Sequence, residues 1–231
     1  MGRVLVGTRS DLHVTGVDAA QIPASTHPRI VVLPRTVMEA LPFLERFGAV
    51  VSQFGYEYSR SDESARQIGR VLAPGAKLSF LVHHAESAIV AATRARLDAI
   101  DELLAPGLRA AFCSGDASGF SSLTAALIGR HPHDSVVADL ASALPSRLGS
   151  PPGKRIAIWA AIEEALAPER CVSESLKSCC VTPSQLTDWL GPLRSACELK
   201  AVTVLREPNG TPIAWIVEGI RGPAQAVALP S

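Results

Sequence analysis

The sequence predicts an α/β fold in which mostly parallel strands alternate with helices and the chain closes on an antiparallel hairpin. Three observations predict it. Short apolar runs alternate with helical patterns over residues 13–84. A long stretch, about 86–167, carries helical patterns alone and reads as an insert. Near the carboxyl end two apolar runs are joined by Glu207-Pro208-Asn209-Gly210, and Asn-Gly between apolar runs signals a hairpin because both residues tolerate positive φ.

Taken in order, His13–Asp18 is a β-rich run ending in an acid, and Arg29–Leu33 is a second strand stopped by Pro34. Val37–Phe47 reads as a short helix or turn region, and Ala49–Gln53 as a third strand. Ser61–Leu72 is a helix with Ser61 and Asp62 at its start, where acceptors satisfy free N–H groups, and Pro74-Gly75 is expected to stop it. Lys77–His83 is a fourth strand. Glu86–Leu104 places Ile89, Ala92, Leu97, Ile100 and Leu104 near helical spacing and is expected to end at Pro106-Gly107. Ser121–Gly129, Asp134–Leu148 and Lys154–Leu166 read as three further helices, the last two separated by Gly149–Gly153. Pro183–Leu193 is a helix with Thr182 as N-cap and Pro183 at the first position, where a missing N–H costs nothing. Leu199–Arg206 and Thr211–Gly219 are the arms of the hairpin.

A chain of 231 residues fits a single domain with a helical insert and can bury a substantial core. Apolar residues make up 47% and charged residues 19%, a globular balance. The formal net charge is zero, so composition gives no support for a nucleic-acid partner, which calls for a basic surface. No run reaches the roughly 18 apolar residues of a membrane span, and the first residues lack the apolar core of a signal peptide. The expectation is a soluble, cytoplasmic protein with no membrane partner. Five cysteines, an odd number, fit reduced thiols better than a disulfide framework.

Two blocks carry a family resemblance. The first is HVTGVDAA (13–20), RIVVLPRTVMEALPF (29–43), FGAVVSQFGYEYS (47–59) and SARQIGRVLAPGAKLSFLVHH (64–84), in that order. The second is VTPSQLTDWL (181–190) with the terminal hairpin. The most specific piece is an apolar strand with its Ser/Gln loop, then a helix ending R-V-L-A-P-G-A and another strand; Ala76 stands where the family has a second glycine. In this order the blocks resemble the class I S-adenosylmethionine-dependent methyltransferases, a Rossmann-like fold whose parallel sheet ends in an antiparallel pair. Residues 85–181 match no motif of that family.

The resemblance implies S-adenosyl-L-methionine as cofactor, and a methyl group passing to a small-molecule or protein acceptor. Asp18, at the end of its strand, is implied as the acceptor of both ribose hydroxyls, the role of the acid in dinucleotide-binding folds. The bland alternative is a carboxylate capping its own turn. Strand-end loops gather at the binding crevice, which brings in Ala19, Leu33, Pro34, Ser52, Gln53 and Phe54, or else these are ordinary strand-end packing. Where the family often carries an acid near the adenine, this chain has Pro34-Arg35.

The family's glycine-rich loop lies about 20 residues before the acid. Counting back from Asp18 passes Met1, and Gly2 and Gly7 do not form G-x-G-x-x-G. The first strand is therefore expected to be missing or degenerate, with residues 2–12 as the helix that follows the loop, or with Arg3–Val6 as a short surviving strand. That strand belongs between Val14–Val17 and Val50–Val51, and each buried backbone group left unpaired there costs about 1–3 kcal/mol. Three outcomes stay open: a start codon upstream of Met1, a rearranged chain that binds cofactor poorly, or a partner chain pairing with the open strands.

For chemistry, His83 and His84 end the fourth strand and are candidates for a general base; adjacent strand residues face opposite sides, so one of them is expected to reach substrate, unless both are polar strand ends bonded to backbone. Tyr56, Glu57 and Tyr58 follow the third strand and are candidates to contact substrate, Tyr56 and Tyr58 above all, or to line the cofactor pocket; the bland alternative for the tyrosines is a half-buried place in a loop. His131-Pro132-His133-Asp134 and the cysteines lack the spacing of a metal site. Arg94, Arg96 and Lys154-Arg155 are expected on a solvated helix face. The helical insert is expected either to lid the acceptor site or to serve packing or homodimer formation. Two other classes compete with a methyltransferase: an inactive methyltransferase-like binding or scaffold protein or truncated gene product, favoured by the absent glycine loop, and a nucleotide-binding oxidoreductase, disfavoured by the antiparallel hairpin and RVLAPG.

Overall fold

The structure, a computed structural model, describes residues 2–23, 25–43, 47–59 and 61–222. It is an α/β protein that divides into two compact units, Met1–His84 with Val181–Ser231, and Ala85–Cys180.

The first unit opens with helix α1 (Gly2–Thr8), followed by strands β1 (Val14–Val17) and β2 (Ile30–Leu33), which pair in parallel with Val14 opposite Ile30 and Val17 opposite Leu33. The start of the chain is thus helical, and residues 3–6 form no strand. The Arg29 guanidinium collects the carbonyls that the end of α1 leaves free, donating to Val6 at 2.7 Å and Arg9 at 2.9 Å. Val6 itself is buried. One arginine thereby fastens the first helix to the entry of β2.

Strands β3 (Phe47–Gln53), β4 (Leu72–His83), β5 (Glu198–Arg206) and β6 (Pro212–Ile220) form a second sheet in the order β3-β4-β6-β5. β3 and β4 are parallel, while β6 runs antiparallel to both β4 and β5. The expected terminal hairpin is therefore present, and its last strand is inserted between β4 and β5. Of the turn residues only Gly210 takes a positive φ, of 87°. The turn is wider than a two-residue loop, closed by Glu207 N–H to Thr211 O at 2.8 Å, with a register shift before Arg206. β1 and β3 are not ladder neighbours, and each pairs along one edge only among the described residues.

Helices α2 (Asp62–Val71) and α8 (Leu186–Ala196) build the core of this unit. Ser61 starts α2 with a reciprocal capping box to Ser64. Leu78, Phe80 and Val82 of β4, at period two, and Trp215 and Val217 of β6 face Ile68 of α2 and Trp189, Leu190 and Leu193 of α8. Burying each such side chain stabilises the unit by about 1.5–3 kcal/mol. Gly69 lets the two helices approach closely, since a Cβ there would stand 3.2 Å from that of Ala196.

Two boundaries differ from expectation in this unit. Pro74-Gly75 does not separate helix from strand. It is a bulge inside β4, where Gly75 (φ 76°) donates to Arg221 O at 2.9 Å and the register jumps between Leu72 and Lys77. α8 starts at Leu186, not Pro183, because Thr182 and Gln185 satisfy each other first: Gln185 N–H donates to Thr182 Oγ1 at 3.3 Å, and Thr182 N–H to Gln185 Oε1 at 3.2 Å.

The second unit is all helical: α3 (Ala88–Leu103), α4 (Pro106–Ser114), α5 (Ala117–Arg130), α6 (Ser135–Ala143) and α7 (Pro152–Cys179). Ile100, Leu103, Phe112, Phe120, Leu127 and Trp159 form its core. Pro106-Gly107, expected as a stop, instead opens α4 with Pro106 at its first position. α7 runs through Pro168, so the unit ends at Cys180, later than the insert boundary near 167. Ion pairs on both sides of the proline, Arg96–Glu169 at 2.6 Å and Arg170–Asp101 at 2.7 Å, tie that turn to α3. Arg155 is not on a solvated face: it is 8% exposed and donates to the carbonyls of Cys113 at 3.1 Å, Leu148 at 3.2 Å and Ser150. Arg96 is likewise engaged, bridging Glu169 and Asp134. No helix among the described residues is long and apolar enough to cross a membrane.

Candidate functional site

The carboxyl ends of the parallel strands carry two groups of polar residues. At the tips of β1 and β2, Asp18 N–H donates to Leu33 O at 3.2 Å, Thr36 N–H to Asp18 O at 2.8 Å, and Arg35 N–H to Ala20 O at 3.1 Å. Arg35 sits at φ 53°, the left-handed region. These bonds lock the loop after β1 onto the loop after β2. The exposed Asp18 carboxylate accepts from Ala20 N–H at 2.8 Å through Oδ1. Its Oδ2 has no hydrogen-bond partner among the described residues. Turn capping therefore uses only one oxygen of this carboxylate. Ala19 beside it is exposed, while Leu33 and Pro34 are half-buried.

At the tips of β3 and β4 the chain is more tightly built. Ser52 Oγ accepts from Tyr56 N–H at 2.9 Å, so its hydroxyl starts the 3-10 turn Tyr56–Ser59. Gln53, the last residue of β3, is exposed. Phe54 extends the ladder by one bond, N–H to Leu81 O at 2.9 Å, and then turns with φ 57°. A left-handed Phe is costly by about 1–2 kcal/mol and recurs where a side chain must be aimed. Here it lays the Phe54 ring on the His83 imidazole, with centroids 4.2 Å apart.

His83 ends β4, and its Nδ1 lies 2.7 Å from Glu57 Oε1. The same oxygen receives the His83 backbone N–H at 3.2 Å. The Glu57 side chain is fully buried, and its Oε2 has no hydrogen-bond partner among the described residues. Tyr58, 47% exposed, presents its ring edge-on 6.5 Å from His83. Phe54, Glu57, Tyr58 and His83 thus form one cluster.

Two candidates stand apart from it. Tyr56 is wholly buried between Phe80 and Trp189 and belongs to the core. His84 is 2% exposed, stacks on Trp215 at 4.7 Å and bridges to Val181, which places it in the packing beneath the strand end. No hydrogen bond or ion pair among the described residues joins the Asp18 group to the His83 group.

A concavity of about 420 Å³ lies elsewhere, lined by Arg194, Cys197 and the first half of β5. Glu198 and Lys77 both pair with Ile220, so this concavity lies at the amino end of β4, opposite His83. It is an open depression beside an edge strand and holds none of the candidate residues. Cys197 at its rim has its thiol pKa raised by burial, against the opposing pull of Arg221, so it is a poor nucleophile at neutral pH.

Glu57 is a candidate for substrate or cofactor contact in the sequence, but its pairing with His83 is not foreseen there. Its only signal in the sequence is an acid between two tyrosines directly after a strand end.

No protein-family model matches the chain, and no curated protein matches it. Among solved structures, it is similar to a variant of the 16S rRNA (adenine(1408)-N(1))-methyltransferase from Catenulisporales acidiphilia, at 12% identity over 96% of this chain and 80% of that one, with a TM-score of 0.45. It is also similar to a SAM-dependent methyltransferase from Methanosarcina mazei, at 15% identity over 96% and 88% with a TM-score of 0.39. A third is the YcgJ protein from Bacillus subtilis, at 13% identity over 95% and 97% with a TM-score of 0.33. Superpositions this loose, at identities this low, pass neither residue roles nor activity to this chain.

Proposed function

We propose that this chain is a class I methyltransferase-type protein that binds S-adenosyl-L-methionine at the carboxyl edge of its parallel strands and transfers the methyl group to a small-molecule or protein acceptor. The observation that carries the reading is the sheet order β3-β4-β6-β5, with β6 reversed, in a unit whose β1 ends in an open carboxylate. Parallel strands gather ligand-binding loops at their carboxyl ends. Asp18, Phe54 and His83 all stand at such ends.

The donor set fits the ribose end of the cofactor. Asp18 Oδ2 is an unspent acceptor, and a carboxylate accepts from hydroxyl donors with charge-assisted bonds. Leu33 and Pro34 supply apolar surface beside it for the adenine, and the Ser52–Phe54 strand end is the further edge of the same proposal. For the methionine end the described residues offer no glycine-rich loop. When bound, the cofactor supplies an electrophilic methyl group. The chain's own residues bind and orient it, and His83 takes up the proton that an acceptor loses.

Calorimetric titration of the purified full chain with S-adenosyl-L-methionine tests this. The reading predicts saturable binding in the micromolar range. A folded circular-dichroism spectrum with no heat of binding would overturn it in favour of an inactive binding or scaffold protein.

A further inference from the structure

The Glu57–His83 pair holds more information than a strand-end histidine requires. A carboxylate is an acceptor only. Glu57 Oε1 already takes the His83 backbone N–H, so the ring proton of His83 belongs on Nδ1, directed at that oxygen over 2.7 Å. The other nitrogen, Nε2, then carries the lone pair. It has no hydrogen bond among the described residues and is not one of the buried polar atoms left unpaired, so it is the open end of the ring. Phe54 covers one face of the imidazole, at the price of a left-handed backbone, and Tyr58 stands at its side. Glu57 Oε2 meanwhile sits buried with no hydrogen-bond partner among the described residues. His83 is itself largely buried, its side chain 9% exposed; desolvating a carboxylate beside it is unfavourable, and a histidine that only packs at a strand end needs no buried carboxylate. A carboxylate behind an imidazole is the arrangement that fixes tautomer and stabilises the protonated ring.

We infer that Glu57 is a positioning residue that holds His83 as the Nδ1–H tautomer, making Nε2 the proton acceptor for a nucleophile that carries a proton, a hydroxyl or amine N–H on the methyl acceptor. This rests on the methyltransferase reading for its methyl donor, a sulfonium. As the new bond from oxygen or nitrogen to the methyl carbon forms, the sulfur–carbon bond breaks and its electron pair stays on sulfur. The proton that the nucleophile sheds ends on His83 Nε2, and the resulting imidazolium faces the Glu57 carboxylate until the proton passes to water. Acceptors without a removable proton, such as tertiary amines and thioethers, make no use of this pair.

Long-range proton–nitrogen correlation spectra of the full chain labelled with ¹⁵N-histidine, recorded over a pH series, read the tautomer directly. The expected signature at His83 is a protonated Nδ1 and a bare Nε2. Carbethoxylation followed by mass spectrometry reads the lone pair: His83 is modified in the folded chain, and the isosteric Glu57→Gln variant, which keeps the shape but removes the charge, slows that modification several-fold while His13 reacts as before. A protonated Nε2 at His83, or a His83 that resists modification in the folded wild-type chain, overturns the inference. Titration with S-adenosyl-L-methionine separates this from the reading beneath it. Binding together with a protonated Nε2 sinks the positioning role alone, whereas an Nδ1–H signature without any binding removes the methyl donor and with it the role in proton transfer.

Discussion

Arg155 illustrates how far a residue's environment can depart from its type. Its guanidinium is planar, with five donors in a fixed fork, and three backbone carbonyls from one loop and a helix end converge on it. Gly115, at φ 81°, lies under the same group, and a Cβ there would meet Arg155 at 3.0 Å. Arg155→Ala is expected to destabilise the helical unit by about 3 kcal/mol, because it leaves several carbonyls without donors. Chemical denaturation measures this, and a loss below about 0.5 kcal/mol, the range of an ordinary surface change, contradicts it. Residue type and neighbours in sequence said only that a Lys154-Arg155 pair was basic. The pairing of Glu57 was hidden for the same reason: its partner His83 is 26 positions away, and burial of a carboxylate is decided by the partner. The place of Asp18 at a strand end was legible because it follows from local grammar, an acid directly after a β-rich run. Tyr56 and His84 look like site residues in sequence, yet packing on Phe80 and Trp189 buries the first and the return of the chain at Val181 buries the second.

Among the elements, caps and ion pairs decide where helices start and how they hold together. Asp134 accepts from Val137 N–H at 3.0 Å as the N-cap of α6 and also pairs with Arg96 at 2.5 Å. Burial pushes its carboxyl pKa up, but the Arg96 and backbone hydrogen bonds outweigh that and hold it below the ordinary value. A depressed folded pKa means that the stabilisation is present above the unfolded pKa of about 4 and fades as pH falls through the folded one. Asp134→Ala is thus expected to cost about 2 kcal/mol at neutral pH, with the difference from wild type narrowing in acid. Denaturation curves at several pH values test this, and a difference that widens below pH about 4 contradicts it. The apolar strands and the hairpin were readable because strand period and Asn-Gly are local signals. α4 and the second half of α7 were not. Pro106 and Pro168 look like breaks, but one is a favourable first residue and the other is held in an interior turn by Arg170–Asp101 and Arg96–Glu169. The bulge at Pro74-Gly75 was also invisible, since it depends on Arg221 from the far end of the chain.

At the scale of the molecule, the chain leaves its sheet after His83 and returns at Val181, and the two points are bonded, Val181 N–H to His83 O at 3.1 Å. Trp215 Nε1–H closes the return by donating to Val181 O at 3.0 Å. A large helical unit can be inserted there because its two ends meet within the first unit, so the sheet continues as if uninterrupted. The same clamp fixes the backbone of His83, the residue whose ring Glu57 orients. Two strand-end groups in one unit, an open carboxylate at β1 and an oriented imidazole at β4, are what the fold brings to its carboxyl edge.

The claim beneath this account is that Asp18 holds the cofactor's ribose, and comparing S-adenosyl-L-methionine affinity in the wild-type chain and Asp18→Ala by calorimetry tests it most directly. Losing a charge-assisted bond of about 1.5–3 kcal/mol predicts affinity weakened by about ten- to a hundredfold in a variant that remains folded. Equal affinities in the two proteins would contradict the claim.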